Sequence, residues 1–523
     1  MSQKLLNFAA ALNGEGGYEP SAHAEVIEVS SPVSTAAVFY EKVRSTIDYQ
    51  EEHLLRRNAI LRFLKRNLGS ETPRNDLAGQ LLKELVWAKY LPNKSVPTNF
   101  VEQLVPVFIK YETLLRVADG LNGNRESAVN WVLDVFSTEL EYQIISHNDD
   151  ESLVSYMYEE IKPRISWDKS AGLKPEEQDL FLFVACHRIL LTSNVATLRY
   201  RIMTLYYPDW AGASTSERVG EVSAGLQKVV MVVDRAIFHP ITQKLQIQVR
   251  RKSGVFRVVY DVIREHKGNL APLIDDPEQM DSAVAKALTS RTKKFKERLS
   301  RTVFRAIAFL FITKMLLALV LEVPYDLLIE KNAKFYPLAI NVFFHPIFLA
   351  FISLTISIGE KQNKLDYQTA VRALMIGADD RLLNFRVKIE RRSVWSSIFG
   401  FIYALLFLVV YGAIGYALTK FGFNWLSTTL FLFFISLVTF FGIRIRQSVK
   451  DIVVSEGRSG FFGTIFDILV LPIVRAGRWL SVKVAKINVF IYFFDFIIES
   501  PFKVAIRIIE NWFTFIKEKK EEI

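Results

Sequence analysis

Between residues 303 and 443 the chain carries four apolar runs, at 303–322, 335–358, 396–418 and 423–443. Each is close to the ~20 residues that an α-helix needs to cross a bilayer. These runs constrain the fold more than any other feature, and they predict four transmembrane helices. The apolar excess begins after residue 300, as do most of the 40 Phe residues, while the preceding 300 residues read as ordinary soluble sequence. The chain is therefore expected to change solvent partway along its length.

The flanks of the runs predict orientation. Arg291, Lys293, Lys294, Lys296, Arg298, Arg301 and Arg305 precede the first run. The link 359–393 holds Lys361, Lys364, Arg372, Arg381, Arg386, Lys388, Arg391 and Arg392, and Arg444, Arg446 and Lys450 follow the fourth run. The other two links, "VPYDLLIEKNAK" and "TKFG", are short and poor in basic residues. This alternation predicts a multi-pass protein of the cell membrane with both termini cytoplasmic. Trp395 and Trp425 fall at run ends, where amphipathic rings favour the interface.

The lone cysteine, Cys186, leaves no intrachain disulfide, which fits a reducing compartment. The N-terminus lacks a clear signal-peptide pattern, so the soluble part is expected to stay inside the cell. The formal charge of +10 is densest beside the first run, a placement that suits anionic lipid and not nucleic acid. The residues expected to contact headgroups are Arg291, Lys293, Lys294, Lys296, Arg298, Arg301, Lys503 and Arg507.

Residues 1–35 are small and polar and read as a disordered tail. From 36 to 275, apolar residues recur with helical spacing in stretches such as "FVEQLVPVFIKYETLLRVADGL" and "ESAVNWVLDVFSTELEYQII", separated by polar links such as "SHNDDES". This region is expected to be a soluble all-helical cytoplasmic domain. "KLQIQVRRKSGVFRVVYDVI" reads as two short helices broken at Gly254. Asp276 and Pro277 form a strong helix start, with Gln279 placed for a capping box, and no breaker follows until Pro324. The basic stalk 276–302 should thus continue into the first span. In 444–523, "FFGTIFDILVLPIV" and "INVFIYFFDFII" are too short to cross, and "FKVAIRIIENWFTFIKEKKEE" is amphipathic. All three are expected to lie on the membrane surface.

Lys314 stands in the middle of the first run. An unpaired charge there costs at least about 3 kcal/mol on insertion scales, so it should face the helix bundle, a partner or water. His345 falls at similar depth in the second run, and Pro346 frees the carbonyl of Val342. Lys314 and His345 are therefore the candidate intramembrane polar site. One reading makes Lys314 a packing residue that donates to helix carbonyls or to a carboxylate such as Asp467 or Asp495. The other places it on an ion or proton path.

No phosphate loop, HExxH, CxxC or GxSxG occurs. Cys186 and His187 point in different directions on a helix and are expected to be buried and structural. The "NDDES" run lacks the Gly and terminal Glu of a calcium loop. No catalytic residue, metal ligand or cofactor is expected. The chain reads as an all-α polytopic membrane protein with an N-terminal helical cytoplasmic domain, four transmembrane helices and C-terminal interfacial amphipathic helices. Its expected role is non-enzymatic: a membrane-anchored interaction or scaffold module that binds anionic lipids and a cytoplasmic protein or itself. The alternative is an oligomeric channel or transporter built on Lys314 and His345.

Overall fold

The computed structural model describes residues 3–13, 25–29, 52–67, 69, 71–121, 125–168, 172–212, 216–266, 270, 273, 275–331, 335–356, 360–378, 380–387, 395–449, 452–453 and 461–486, with four positions beyond 500. These are helical almost throughout. In chain order come α1 (Gln3–Asn13), α2 (Glu52–Arg66), α3 (Arg74–Trp87), α4 (Phe100–Asp119), α5 (Arg125–Ile144), α6 (Asn148–Ile161), the three-residue β1 (Ile165–Trp167), α7 (Pro175–Leu190), α8 (Val195–Tyr206), α9 (Ser216–Ala224) and α10 (Leu226–Phe238). Then follow α11 (Pro240–Glu265), α12 (Pro277–Leu317), α13 (Phe335–Leu354), α14 (Glu360–Ile376), β2 (Phe385–Val387), α15 (Trp395–Lys420), α16 (Trp425–Ser448) and α17 (Phe461–Lys486). Two compact units result. One comprises Asn7–Pro163, Gly172–Val249 and Val489–Ile523, the other Met1–Leu6, Arg164–Ala171 and Arg250–Asn488.

The first unit is built around α5, which packs against α2, α4 and α8. Trp131, Val132, Val135, Phe136 and Leu140 of α5 are all buried, on more than one face of the helix. A helix apolar on several faces belongs at the centre of a bundle. Asp134, Glu139 and Glu141 are met by cations from its neighbours. Arg56 bonds Glu141 at 2.5 Å, Asp134 receives Arg57 at 3.0 Å and Arg199 at 2.7 Å, and Lys110 bonds Glu139. Tyr111 Oη donates to Glu139 at 2.6 Å, Trp210 Nε1 to Tyr111 Oη at 3.0 Å, and Lys110 Nζ to the Trp210 carbonyl at 2.8 Å. Asp134 is shared by two arginines and Glu141 is met by both Arg56 and His147, so these acids tie α5 to several neighbours at once, which favours one pairing of helices over others.

Two sequence expectations differ here. Within the first 35 residues, read from composition as a tail, Gln3–Asn13 is helical because Leu5, Phe8 and Ala9 recur on one buried face, and Ile27 pairs with the Val96 carbonyl. The polar stretch "NDDES", read as a link, is the first turn of α6. Asp149, Asp150 and Glu151 favour that position because they meet the positive end of the helix dipole.

His147 precedes α6, with Nε2 2.8 Å from Glu141 Oε2 and Nδ1 3.9 Å from Asp150. Burial pushes its pKa down, but hydrogen bonds and charges from Asp150 and Glu141 outweigh burial and raise it from 6.5 to about 9. The folded value lies above the ordinary one. Protonated His147 therefore contributes stability that is complete below pH 6.5 and is lost as pH rises through 9. Thermal unfolding of the detergent-solubilised protein should show a loss on the order of 2–3 kcal/mol between pH 6 and pH 10 that His147→Gln removes. An unchanged pH slope in that variant would refute the assignment.

In the second unit α11 is one helix through Gly254, not two. Ser253, Val255, Phe256, Val258 and Val259 are buried in sequence, so packing overrides the local glycine. Asp276 caps α12 as its spacing predicts, accepting from the N–H groups of Glu278 at 2.9 Å and Gln279 at 3.1 Å. The helix then runs on to Glu330, 54 residues in all and about 80 Å long. It absorbs Pro324 through π-turns at Ala318–Glu322 and Asp326–Glu330.

Among the described residues, four helices are long and apolar enough to cross a membrane: Pro277–Glu330, Phe335–Leu354, Gly400–Lys420 and Trp425–Ser448. Many of their large apolar side chains face outward, Leu328 at 77%, Phe304 at 73% and Leu354 at 84% exposed among them. Contiguous apolar surface of this kind is rare on soluble monomers. Inside, α12 packs on α13, and α13 on α16. The short link strands β1 and β2 pair in parallel, Ile165 opposite Phe385 and Trp167 opposite Val387.

The longest described part of the segment read as lying on the surface is α17. It is one helix of 26 residues, longer than its apolar run suggests, and it packs against α16 and α15. Gly477 lies so close to α16 that a Cβ there would overlap the Ser436 carbonyl oxygen and sit 2.7 Å from Phe440 Cβ. The Arg475 guanidinium stacks 4.7 Å from the Tyr403 ring of α15. Protein thus covers part of a helix assigned from sequence to the membrane surface alone. Asp495, Lys503, Arg507 and the side chain of Asp467 lie outside the described residues.

Candidate functional site within the apolar helices

Lys314 is 1% exposed. Its ammonium donates to Asn341 Oδ1 of α13 at 2.6 Å and stands 4.2 Å from the centre of the Phe434 ring of α16. Asn341 Nδ2 in turn donates to Glu322 Oε1 at 2.7 Å. The other Glu322 oxygen accepts from Ser427 Oγ of α16 at 2.9 Å. One buried asparagine therefore bridges a buried cation and a buried carboxylate. The chain of hydrogen bonds joins the long first helix to α13 and α16.

The local backbone makes this possible. Eight residues along a regular α-helix, a side chain has turned about 80° away. The π-turn at Ala318–Glu322 winds more slowly, with the Val323 N–H reaching back five residues to the Ala318 carbonyl. That brings Glu322 back toward the face that carries Lys314. One turn further, Asp326 accepts from Asn424 Nδ2 at 2.5 Å, and Asn424 Oδ1 caps α16 through the Ser427 N–H at 2.7 Å.

His345 is fully buried one turn beyond Asn341. Nδ1 lies 3.1 Å from the Asn341 carbonyl and Nε2 3.1 Å from the Phe431 carbonyl of α16. Phe431 and Phe434 enclose the ring at centroid distances of 4.7 and 5.9 Å. Lys314 and His345 are thus brought to one place, and they share Asn341: the lysine takes its side chain and the histidine its carbonyl. The expected use of the Val342 carbonyl is replaced by the Asn341 side chain. Glu322, Asn341 and Ser427 went unread in the sequence. Asn341 had a signal, being four residues before His345 on the same helical face. Glu322 had none, because its face depends on the π-turn.

Of the expected headgroup residues, Arg291 is held by Asp261, with Nη2 to Oδ1 at 2.7 Å. Lys293, Lys294, Lys296, Arg298 and Arg301 are exposed.

The other unit holds an arrangement that resembles a nucleophile relay. His187 Nδ1 is 2.7 Å from Ser193 Oγ, and Nε2 is 3.0 Å from Glu151 Oε1. His187 and Ser193 are 0% and 3% exposed, and Ser193 Oγ also donates to the His187 carbonyl at 3.3 Å. Glu151 is further bound by Tyr142 and Arg201. Burial pushes Glu151 up, but His187, Arg201 and Tyr142 together hold it at about 2. The Ser193 hydroxyl is sealed from solvent and bonds back to the end of α7, while the His187–Glu151 contact braces α7 against α6. Cys186 beside it is fully buried, as expected. Among the described residues no cluster of three or more His, Cys, Asp and Glu is placed to hold a metal ion.

Compared with known protein families, curated proteins and solved structures, the chain matches none.

Proposed function

We propose that the protein is a non-enzymatic integral membrane protein of the cell membrane, with both termini cytoplasmic. Its helical domain acts as a membrane-anchored interaction module that binds a cytoplasmic protein or a second copy of the chain. The basic residues ahead of the first span face anionic headgroups. The observation that supports an anchor over a conducting path is the closure of the intramembrane charges. Lys314 is tied through Asn341 to Glu322, and Glu322 to Ser427, so these groups fasten three helices together. An unbroken 54-residue helix leads from the polar region into that cluster.

Crosslinking in intact membranes tests the module. A reproducible partner or second copy attached through residues 52–238 supports it, and recovery of neither overturns it. Proteoliposomes test the rival reading. A proton or ion flux that both Lys314→Met and His345→Ala alter, with the fold intact, would replace the anchor by a channel.

Orientation has its own test. Leu328 and Leu365 are both well exposed, at 77% and 58%, whereas native Cys186 is fully buried and should stay silent. A membrane-impermeant thiol reagent outside intact cells should label Leu328→Cys and spare Leu365→Cys. Labelling of both would refute the topology.

A further inference from the structure

Phe108, Glu112, Leu115, Arg116 and Asp119 recur at helical spacing and share one face of α4. Between that face and α2, α3 and α5 lies a cavity of about 470 Å³, wholly within the first unit. Protein interiors leave few voids larger than a water molecule, so a space of this size at the junction of four helices calls for an occupant. Its volume is in the range of small-molecule sites.

The two sides of the cavity differ in chemistry. The α5 side is apolar throughout, with Val129, Leu133 and Phe136 on one face of that helix. Phe63, Leu77 and Phe108 complete a floor that Leu133 and Phe136 share, and each of these five is at most 3% exposed. Phe108 meets Phe136 edge to face at 5.2 Å. The charges belong to α3 and α4 and stand toward the mouth, where Arg116 and Asp119 are exposed. Most of them are committed. Arg74 Nε bonds Glu112 Oε1 at 2.5 Å, and Asp119 accepts from Arg125 at 2.6 Å. Among the described residues, the Arg116 side chain has no hydrogen-bond or ion-pair partner. The mouth therefore carries one guanidinium beyond its ion pairs.

That inventory selects a ligand class. A neutral apolar molecule uses the floor alone and leaves Arg116 to water. A phosphate dianion sets two negative charges against one free cation, with Glu112 and Asp119 close by. A monocarboxylate with an apolar body uses both sides. Its planar head matches the guanidinium fork with two parallel hydrogen bonds, and its body removes apolar surface from water. We infer that this cavity binds a small amphipathic monocarboxylate, a medium-chain fatty acid being the simplest case, with the carboxylate on Arg116 and the chain against Phe63, Phe108 and Phe136. The inference adds a ligand to the interaction module proposed above, and it does not depend on the apolar helices lying in a membrane.

The test titrates octanoate, octanol and acetate by calorimetry into the full-length protein in phosphatidylcholine nanodiscs, with empty nanodiscs as the blank. Octanoate should bind saturably, one per chain, about 5-fold more tightly than octanol and more than 10-fold more tightly than acetate. Arg116→Gln should weaken octanoate about 5- to 10-fold and leave octanol within about twofold. Lys228→Gln, which removes an exposed charge of α10 that does not line the cavity, should change neither. Val129→Trp fills the cavity from its half-buried edge and should abolish binding of both chains. Leu115→Phe is a second plug from the opposite wall, used if the first variant does not fold by circular dichroism. Absence of saturable octanoate binding would overturn the inference. Equal affinity for octanoate and octanol, or equal weakening by Arg116→Gln and Lys228→Gln, would overturn the assignment of the carboxylate to Arg116. Octanoate binding that survives a plug in folded protein would place the ligand elsewhere and overturn the site.

Discussion

Glu322→Gln should lower the stability of the detergent-solubilised protein by about 3–5 kcal/mol, the usual cost of leaving a buried charge uncompensated. The side chain keeps its size, and its amide can still meet Asn341. What disappears is the negative charge that offsets Lys314, which is left as an ammonium 1% exposed with one neutral acceptor and an aromatic face. Lys314→Met should cost less, because Glu322 retains hydrogen bonds from both Asn341 and Ser427. The double variant Lys314→Met/Glu322→Gln should recover most of the loss, since it removes both charges together. Thermal unfolding of the two single variants and the double one gives the coupling directly. Strictly additive losses would show that the two residues do not act as a pair.

Gly477→Val should loosen α17 from α16. The obstruction is the Ser436 carbonyl, backbone within a helix, so it has no rotamer by which to move aside. Overpacking against adaptable side chains costs about 1–3 kcal/mol. Here the helices themselves must separate, so a loss at or above the top of that range is expected. Gly412→Val is the matched control, because nothing lies within 4 Å of the position its Cβ would take. Hydrogen exchange of the α17 amides should accelerate in the first variant and stay unchanged in the second. Equal stability of the two would mean that the close approach does not hold α17 in place.

These two sites show what could be read in advance. Lys314 announces itself, because an ammonium in a long apolar run demands an explanation from solvation alone. The Asp276–Pro277 helix start is equally legible, since capping is decided within four residues. Glu322 was placed at the edge of a run, and its inward direction is set by a π-turn that no residue pattern advertises. Gly477 carries no mark that separates it from Gly412 until α16 is beside it. The acids Asp134, Glu139 and Glu141 on α5 gave no sign in the sequence of the cations that meet them, because each partner lies far away along the chain. Gly254 misled in the opposite direction: a local breaker was outweighed by the buried residues on either side of it.

The parallel pairing of Ile165–Trp167 with Phe385–Val387 has a consequence for the order in which the molecule assembles. The two strands are 220 residues apart, and both belong to the unit that carries the apolar helices. At ~5–20 residues per second, the first strand waits roughly 10–40 s on the ribosome before its partner is made. In that interval two of the apolar helices, Pro277–Glu330 and Phe335–Leu354, must be synthesised. Closing so long a loop gains little until both ends are already held near each other. The strand pair is therefore a late latch, set only after the two apolar helices before it have been made, and a nascent chain that stalls before Phe385 leaves Ile165–Trp167 with an open edge.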